Sequence, residues 1–270
     1  MMRLRAINTL FVVVLGVIFF TAQAQSTSSK RFQAGEALTY SIYYYFMGVW
    51  VGAGDVTFSV SNGDFNGIPC YHFKGFGKTY PRYDWFYKVR DTYESYARTS
   101  DLLPYHFIRD VSEGGFYYRE ENIYDYGDSL IYSVLKVKED PIQLDTIAIK
   151  PQAFDVLSLV YHSRGIQFNK YRIGDKIPIR MVIDREIFDL YIRYLGTKTY
   201  EHDELGDIEC YVFSPLLVKG SIFKEGEGMR VYVSKDENRI PIYIESEIRV
   251  GQIRSELKAY EGLKHPLQTQ

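Results

Sequence analysis

The side chains best suited to proton transfer or metal binding are five histidines, His72, His106, His162, His202 and His265. None falls in H-E-x-x-H or another metal-ligand spacing, so neither a metal nor a cofactor is expected. His72 and His106 lie in strand-like segments, where convergence in space stays open. No Ser stands in G-x-S-x-G, the turn that exposes an α/β-hydrolase nucleophile. Gly75-Phe76-Gly77-Lys78-Thr79 imitates the end of a phosphate loop, but His72 occupies the position that needs the first Gly. Glu113, Glu120, Glu121, Asp125 and Asp128 form an acidic stretch across a predicted hairpin. Paired carboxylates hydrolyse glycosides, yet solvated strand faces and turns collect the same residues.

Tyr80 to Arg90 reads YPRYDWFYKVR, with five aromatics and three cations in eleven positions. Stacking and cation–π contacts from Tyr80, Arg82, Tyr83, Trp85, Phe86 and Tyr87 would suit a sugar face, a peptide or a lipid headgroup. The plainer reading makes the segment the start of a long strand, with Tyr83, Trp85 and Tyr87 on one face.

The elements that must position these residues are mostly strands. The chain has 25 Tyr and 17 Phe, residues that favour pleated, half-buried surfaces. Period-two alternation predicts strands near 36–46, 49–60, 69–77, 83–97, 104–112, 115–125 and 129–137. A second set follows near 175–183, 186–196, 208–216, 228–234, 239–250 and 252–260. Turn chemistry separates them, as at Ser61-Asn62-Gly63-Asp64 and Asp236-Glu237-Asn238. One helix is expected over 151–164, where Phe154, Leu157 and Tyr161 recur at helical spacing between Pro151 and Gly165.

The two sets of strands carry a recurring order of features. Phe32-Gln33-Ala34-Gly35-Glu36 resembles Tyr171-Arg172-Ile173-Gly174-Asp175, and Leu38, Tyr40 and Ile42 then fall on Ile177, Ile179 and Met181. Cys70-Tyr71-His72-Phe73 matches Cys210-Tyr211-Val212-Phe213, and Leu103-Pro104 matches Ile240-Pro241. The expected organisation is a leader at 1–24, a first β half at 25–150, a connecting helix at 151–165, a second β half at 166–262 and a tail at 263–270. The fold class is mainly β: an antiparallel curved sheet or open barrel-like fold from two related halves with one central helix. Two packed sandwiches are the alternative. Cys70 and Cys210 occupy matching places, so a disulfide between them and two separate buried thiols are both open. C-x-x-C redox spacing is absent.

Arg3 and Arg5, the apolar run Leu10–Phe20 and the small residues Ala22 and Ala24 form the pattern of a secretory signal. Cleavage is expected after Ala24, and the apolar run is short of the roughly 20 residues that span a bilayer. Loss of the leader removes two cations and no acid, taking the formal charge from −2 to −4. Such a balance excludes the basic field that nucleic-acid binding needs.

Tyr87 to Tyr96 (YKVRDTYESY), Leu103 to Phe107, Glu113-Gly114-Gly115, Phe154-Asp155-Val156-Leu157-Ser158, Asp236 to Pro241 and Val250 to Leu257 together resemble an exported bacterial family, domain of unknown function 3108. The resemblance implies a β protein of the Gram-negative periplasm and brings no catalytic residues. A looser architectural similarity is to the half-barrel carriers of lipoproteins, whose concave apolar sheet holds acyl chains. The expected function is a periplasmic binding or envelope-maintenance module for an apolar or amphipathic ligand or a protein partner, with a lipid, a glycan or an envelope protein as candidates. The alternatives are an envelope hydrolase with a site assembled from distant strands, and a structural or interaction protein.

Overall fold

Alternation of period two forces each strand to bury one face, and the chain meets that demand by rolling a single long sheet around its own aromatic side chains. The computed structural model describes residues 30–217, 226–248 and 251–270, so the expected leader lies outside the described residues. The strands of the first half are β1 (Ala37–Phe46), β2 (Val49–Phe65), β3 (Ile68–Thr79), β4 (Arg90–Arg98), β5 (Pro104–Glu113), β6 (Phe116–Asp125), β7 (Leu130–Val137) and β8 (Gln143–Ala148). Those of the second are β9 (Lys176–Ile183), β10 (Glu186–His202), β11 (Gly206–Pro215), β12 (Met229–Ser234), β13 (Pro241–Glu247) and β14 (Gln252–Glu261). All fourteen join one antiparallel sheet, in the order β8-β7-β6-β5-β4-β3-β2-β1-β14-β13-β12-β11-β10-β9. Pairing of β1 with β14 makes the halves one sheet and rules out two separate sandwiches.

The sheet does not close, because β8 and β9 are not paired. Instead it coils. Val182 and Ile187 of the β9–β10 hairpin pack against the inward Phe107, Tyr124 and Ile131 of β5–β7. Arg109 and Asp184 tie the two ends with a 2.7 Å ion pair. The free edge of β9 is covered by the chain just before the helix: Val182 N donates to Phe154 O at 2.8 Å and Phe154 N to Arg180 O at 3.1 Å. Covering an edge in this way removes a template for pairing with other chains.

The helix α1 (Val156–Ser163) lies inside the coil and is shorter than the expected 151–164, because Phe154 is used on that edge and Asp155 caps the first turn. Asp155 is its N-cap, accepting from Leu157 N at 2.8 Å and Ser158 N at 2.9 Å. Its other oxygen accepts from Ser95 Oγ at 2.6 Å, which pins the cap to β4. Burial raises the Asp155 carboxyl above the usual aspartate range, and these hydrogen bonds oppose that shift. Among the described residues no helix is long and apolar enough to cross a membrane.

One face of α1 fills the first half. Tyr161 stacks on Phe73 with centroids 4.1 Å apart, and Phe32 meets both rings edge-on. At its C-terminal end the helix is tied to the second half by Arg164. This guanidinium holds the buried Glu36 carboxylate at 2.5 and 3.0 Å and donates to the Asn238 carbonyl at 3.0 Å and the Arg31 carbonyl at 2.8 Å.

The structure corrects the start of one strand and decides or adds to three further points. The strand expected over 83–97 starts at Arg90, since Pro81 opens a short 3-10 turn, Pro81–Tyr83. β8 was not anticipated; its side chains are mostly exposed, so no apolar face marks it. Residues 263–270 are no loose tail: Leu263 and Leu267 pack on the core of the second half, and Gln270 N donates to Asp207 O at 2.8 Å. Cys70 and Cys210 are separate buried thiols, on strands of different halves, and no disulfide joins them.

Two predictions follow from this interior. Glu36→Gln and Arg164→Met each cost about 3–5 kcal/mol, while the double variant costs clearly less than their sum, because each single change strands a buried polar partner. Urea denaturation of the four proteins measures the coupling. Burial lifts the Cys210 thiol to about 12 and raises Cys70 as well. The folded protein is therefore expected to leave a thiol reagent unreacted at pH 8, whereas protein in denaturant reacts at both cysteines.

Candidate functional site

The second half of the sheet is not filled by α1. Between them lies a cavity of about 270 Å³. Its walls come from alternate residues of successive strands: Leu38 and Tyr40 of β1, Ile179 of β9, Ile192 of β10, Phe213 of β11, Val231 and Val233 of β12, and Ile244 of β13. The opposite wall is the second face of α1, with Leu159, Val160 and Ser163. Phe168, in a 3-10 turn after the helix, closes one side by stacking near Tyr194 and Phe213, with centroids 5.8 and 5.5 Å away. An apolar cavity of about 150 Å³ already stays dry and takes benzene, so this one has room for a short acyl chain or an aromatic group.

Polar groups on the walls are few. Tyr40 Oη is occupied, donating to the Pro241 carbonyl at 3.0 Å. Arg164 is neutralised by Glu36. Arg239 reaches the cavity from the turn between β12 and β13, where its backbone takes a left-handed φ of 50°. Its Nη1 donates to the Ile166 carbonyl, but Nε is buried without a partner. The Tyr161 hydroxyl is likewise buried and unpartnered. Burial disfavours the phenolate, so that hydroxyl stays protonated and able to donate.

The residues singled out in the sequence lie elsewhere. Tyr80, Arg82, Tyr83, Trp85, Phe86 and Tyr87 form a surface strap between β3 and β4 and do not line the cavity. Arg82 donates to the Gly52 carbonyl at 3.1 Å, and Tyr80 Oη donates to Asp55 at 2.9 Å. Asp84, held below the usual carboxylate range by Arg90, clamps the strap to β4 at 2.6 Å. Tyr87 rests on the β5–β6 turn, where a Cβ at Gly114 would stand 2.6 Å from its ring. Trp85 is 85% exposed and Phe86 60%, so the strap presents rings to solvent rather than starting a strand.

The histidines divide in the same way. His72 and His106 do converge, stacked on either side of Tyr96 at 4.5 and 5.8 Å, and each faces a carboxylate: Glu94 at 3.5 Å and Glu121 at 2.8 Å. This ladder is on the outer face of the sheet, since its strand neighbours Phe73, Ser95 and Phe107 point inward and are fully buried. His202 is a core residue: Nδ1 accepts from the Glu204 and Leu205 amides and Nε2 donates to the Leu257 carbonyl at 2.7 Å. His162 stacks on Phe154, and burial lowers its basicity. His265 belongs to the docked terminal segment, its amide donating to Asn238 Oδ1. Glu120 and Glu121 point to opposite faces, Glu120 taking hydrogen bonds from Tyr118 and Asn122 inside the coil. Asp125 caps its own turn through Gly127 N and Asp128 N. Among the described residues no group of His, Cys, Asp and Glu could hold a metal ion.

Sequence reasoning missed the cavity and Arg239. Two signals were available. The helical segment is apolar round more than half of its circumference, with Val156, Leu157, Leu159, Val160 and Tyr161 against Ser158 and His162 on the remaining side, a stripe wide enough to face two walls rather than one. Arg239 stands directly before the Ile240-Pro241 match, where the first half has Leu102 before Leu103-Pro104.

Comparison with known proteins bears on the fold and the family. A crystal structure of a β-barrel-like protein of domain of unknown function DUF1849 from Brucella abortus superposes with a TM-score of 0.56 at 8% identity. The match covers 86% of this chain and 99% of that one, so the two share a fold. Among curated proteins none matches the chain. The model of the family described as protein of unknown function (DUF3108) matches residues 39–258, most of the sequence, and the chain belongs to that family.

Proposed function

We propose that the chain is an exported binding or carrier module of the bacterial envelope, whose cavity between α1 and the second half of the sheet holds the apolar part of a small amphipathic ligand. The observation that carries this reading is the apolar cavity of about 270 Å³ in an interior otherwise filled by aromatic rings. Left bare, these apolar walls forgo the burial and dispersion contacts that a filled interior supplies. A whole domain keeps only about 5–15 kcal/mol of net stability. A ligand that fills the space offsets that loss. Export is supported by the basic, apolar and small-residue order of residues 1–24, and the periplasm is the compartment this reading assigns.

A second reading, docking of a glycan or envelope protein, is favoured by the strap. Trp85, Phe86 and, on the β1–β2 turn, Met47 are exposed at 85%, 60% and 85%, and exposed large apolar side chains of this kind anchor partner surfaces. The two readings use different residues and separate cleanly.

Phenylnaphthylamine, a neutral dye that brightens in apolar surroundings, is expected to bind the purified mature protein at one equivalent. Val160→Trp, which fills the cavity from α1, is expected to weaken dye binding about tenfold or more and to raise stability by about 0.5–2 kcal/mol. Trp85→Ala with Phe86→Ala is expected to leave the dye titration unchanged. Dye binding that ignores Val160→Trp would overturn the cavity reading.

A further inference from the structure

We infer that the cavity selects an amphipathic anion, with a single carboxylate or phosphate headgroup on Arg239 and an apolar tail along the α1 and β10–β13 walls. The inference rests on the cavity reading above and adds the class of ligand.

The argument is one of unmatched charge. Arg239 is 8% exposed, and among the described residues no carboxylate lies within ion-pair distance of it. The acids nearest in sequence are committed elsewhere. Asp236 Oδ1 accepts from Ser234 Oγ and from the amides of Asn238 and Arg239, and its Oδ2 faces Asn238 Nδ2 and Gln268 N. Glu237 pairs with Arg31 at 2.8 Å, with its side chain 66% exposed. The other cavity arginine, Arg164, already has Glu36. The cavity therefore carries one cation that has no ion-pair partner among the described residues, its guanidinium resting only on the rings of Phe168 and Tyr211 at 5.9 and 5.8 Å.

A guanidinium does not shed its proton at physiological pH, so a buried one needs an anion. Burial first and the neighbouring Arg31 charge second work against the charged form of Arg239, and Tyr211, Glu237 and Asp236 offset them only in part. Among the described residues only one of its nitrogens has an acceptor, the Ile166 carbonyl, and Nε has none. The remaining N–H groups form the fork that grips carboxylate or phosphate with two parallel hydrogen bonds. Tyr161 adds a buried, unpartnered hydroxyl on the same cavity. Arg239 is almost wholly buried, so the headgroup it holds is drawn inside the cavity together with the tail.

The two halves supply an internal control. Leu102 and Arg239 occupy matching places before Leu103-Pro104 and Ile240-Pro241, and both adopt a left-handed backbone, with φ of 65° and 50°. Leu102 is buried in a filled core. The same backbone turn thus carries an apolar side chain where the interior is full and a cation where it is hollow.

Calorimetric titration of the mature protein with decanoate, decyl phosphate and decanol tests the inference. Wild-type protein is expected to bind at least one of the two anions about tenfold or more tightly than decanol, and the tighter anion identifies the headgroup. Arg239→Leu is expected to bring both anions to the level of decanol without weakening decanol itself, and Arg239→Lys to retain part of the preference. Wild-type protein that binds decanol as well as the anions overturns the headgroup assignment while the cavity reading stands. Anion binding that survives Arg239→Leu does the same. If none of the three binds, the cavity reading falls with it.

Discussion

The interaction on which the rest of the structure depends is the buried ion pair of Glu36 and Arg164. Glu36 sits immediately before β1, the strand that joins the two halves, and Arg164 ends α1. Through the Asn238 and Arg31 carbonyls the same guanidinium holds the β12–β13 turn and the first described residues. Three chain segments far apart in sequence meet at one charged group that cannot be left without partners. A sheet that is not closed by strand pairing needs such a fixed point, because coiling alone sets no unique position for what lies inside it. Asp155 does the same at the other end of α1, tying its first turn to β4 through Ser95.

With both ends fixed, the helix cannot shift toward either wall, and the interior becomes asymmetric. Its Leu157 and Tyr161 side meets Phe32, Phe73 and Val60 in a packed cluster. The opposite side faces β10–β13 across open space. Dense packing normally removes such space, since unfilled volume forfeits dispersion contacts. Here the polar anchors at both ends hold it open. The ion pair is thus more than a stability device: it holds the helix at the distance that leaves the cavity unfilled.

Legibility in the sequence followed the period-two rule. β1, β5, β6, β7 and β9 appear within a residue or two of where alternation put them, because each has one face against the interior. β8 was invisible, for QLDTIA lies on an outer edge with almost no buried side chain. The Tyr80–Tyr87 strap was misjudged as strand because aromatic density carries no sign of direction; Pro81 and the Asp84–Arg90 clamp turn it outward. His72 and His106 met as their strands allowed, but on the outer face, away from any cavity. Arg239 escaped notice because a cation in a D-E-N-R turn is normally solvated. Only the fold shows that this turn points into the coil.

That last point separates what a sequence pattern specifies from what it leaves to the tertiary structure. Alternation determines which side chains face inward, and it gave the inner faces of β12 and β13 as readily as those of β3 and β5. Whether an inner face is filled depends on what lies across from it, which here is one short helix held off centre. The first half carries two strands, β7 and β8, beyond the six that run from β1 to β6, and the end of the second half tucks against β5–β7. Those contacts use the face of β9 and β10 opposite the one that carries Ile177 and Ile192, and so put nothing against Val231, Val233 and Phe213. The hollow is a consequence of how the spiral closes on itself, and Arg239, at the turn bordering it, gives that hollow a charge.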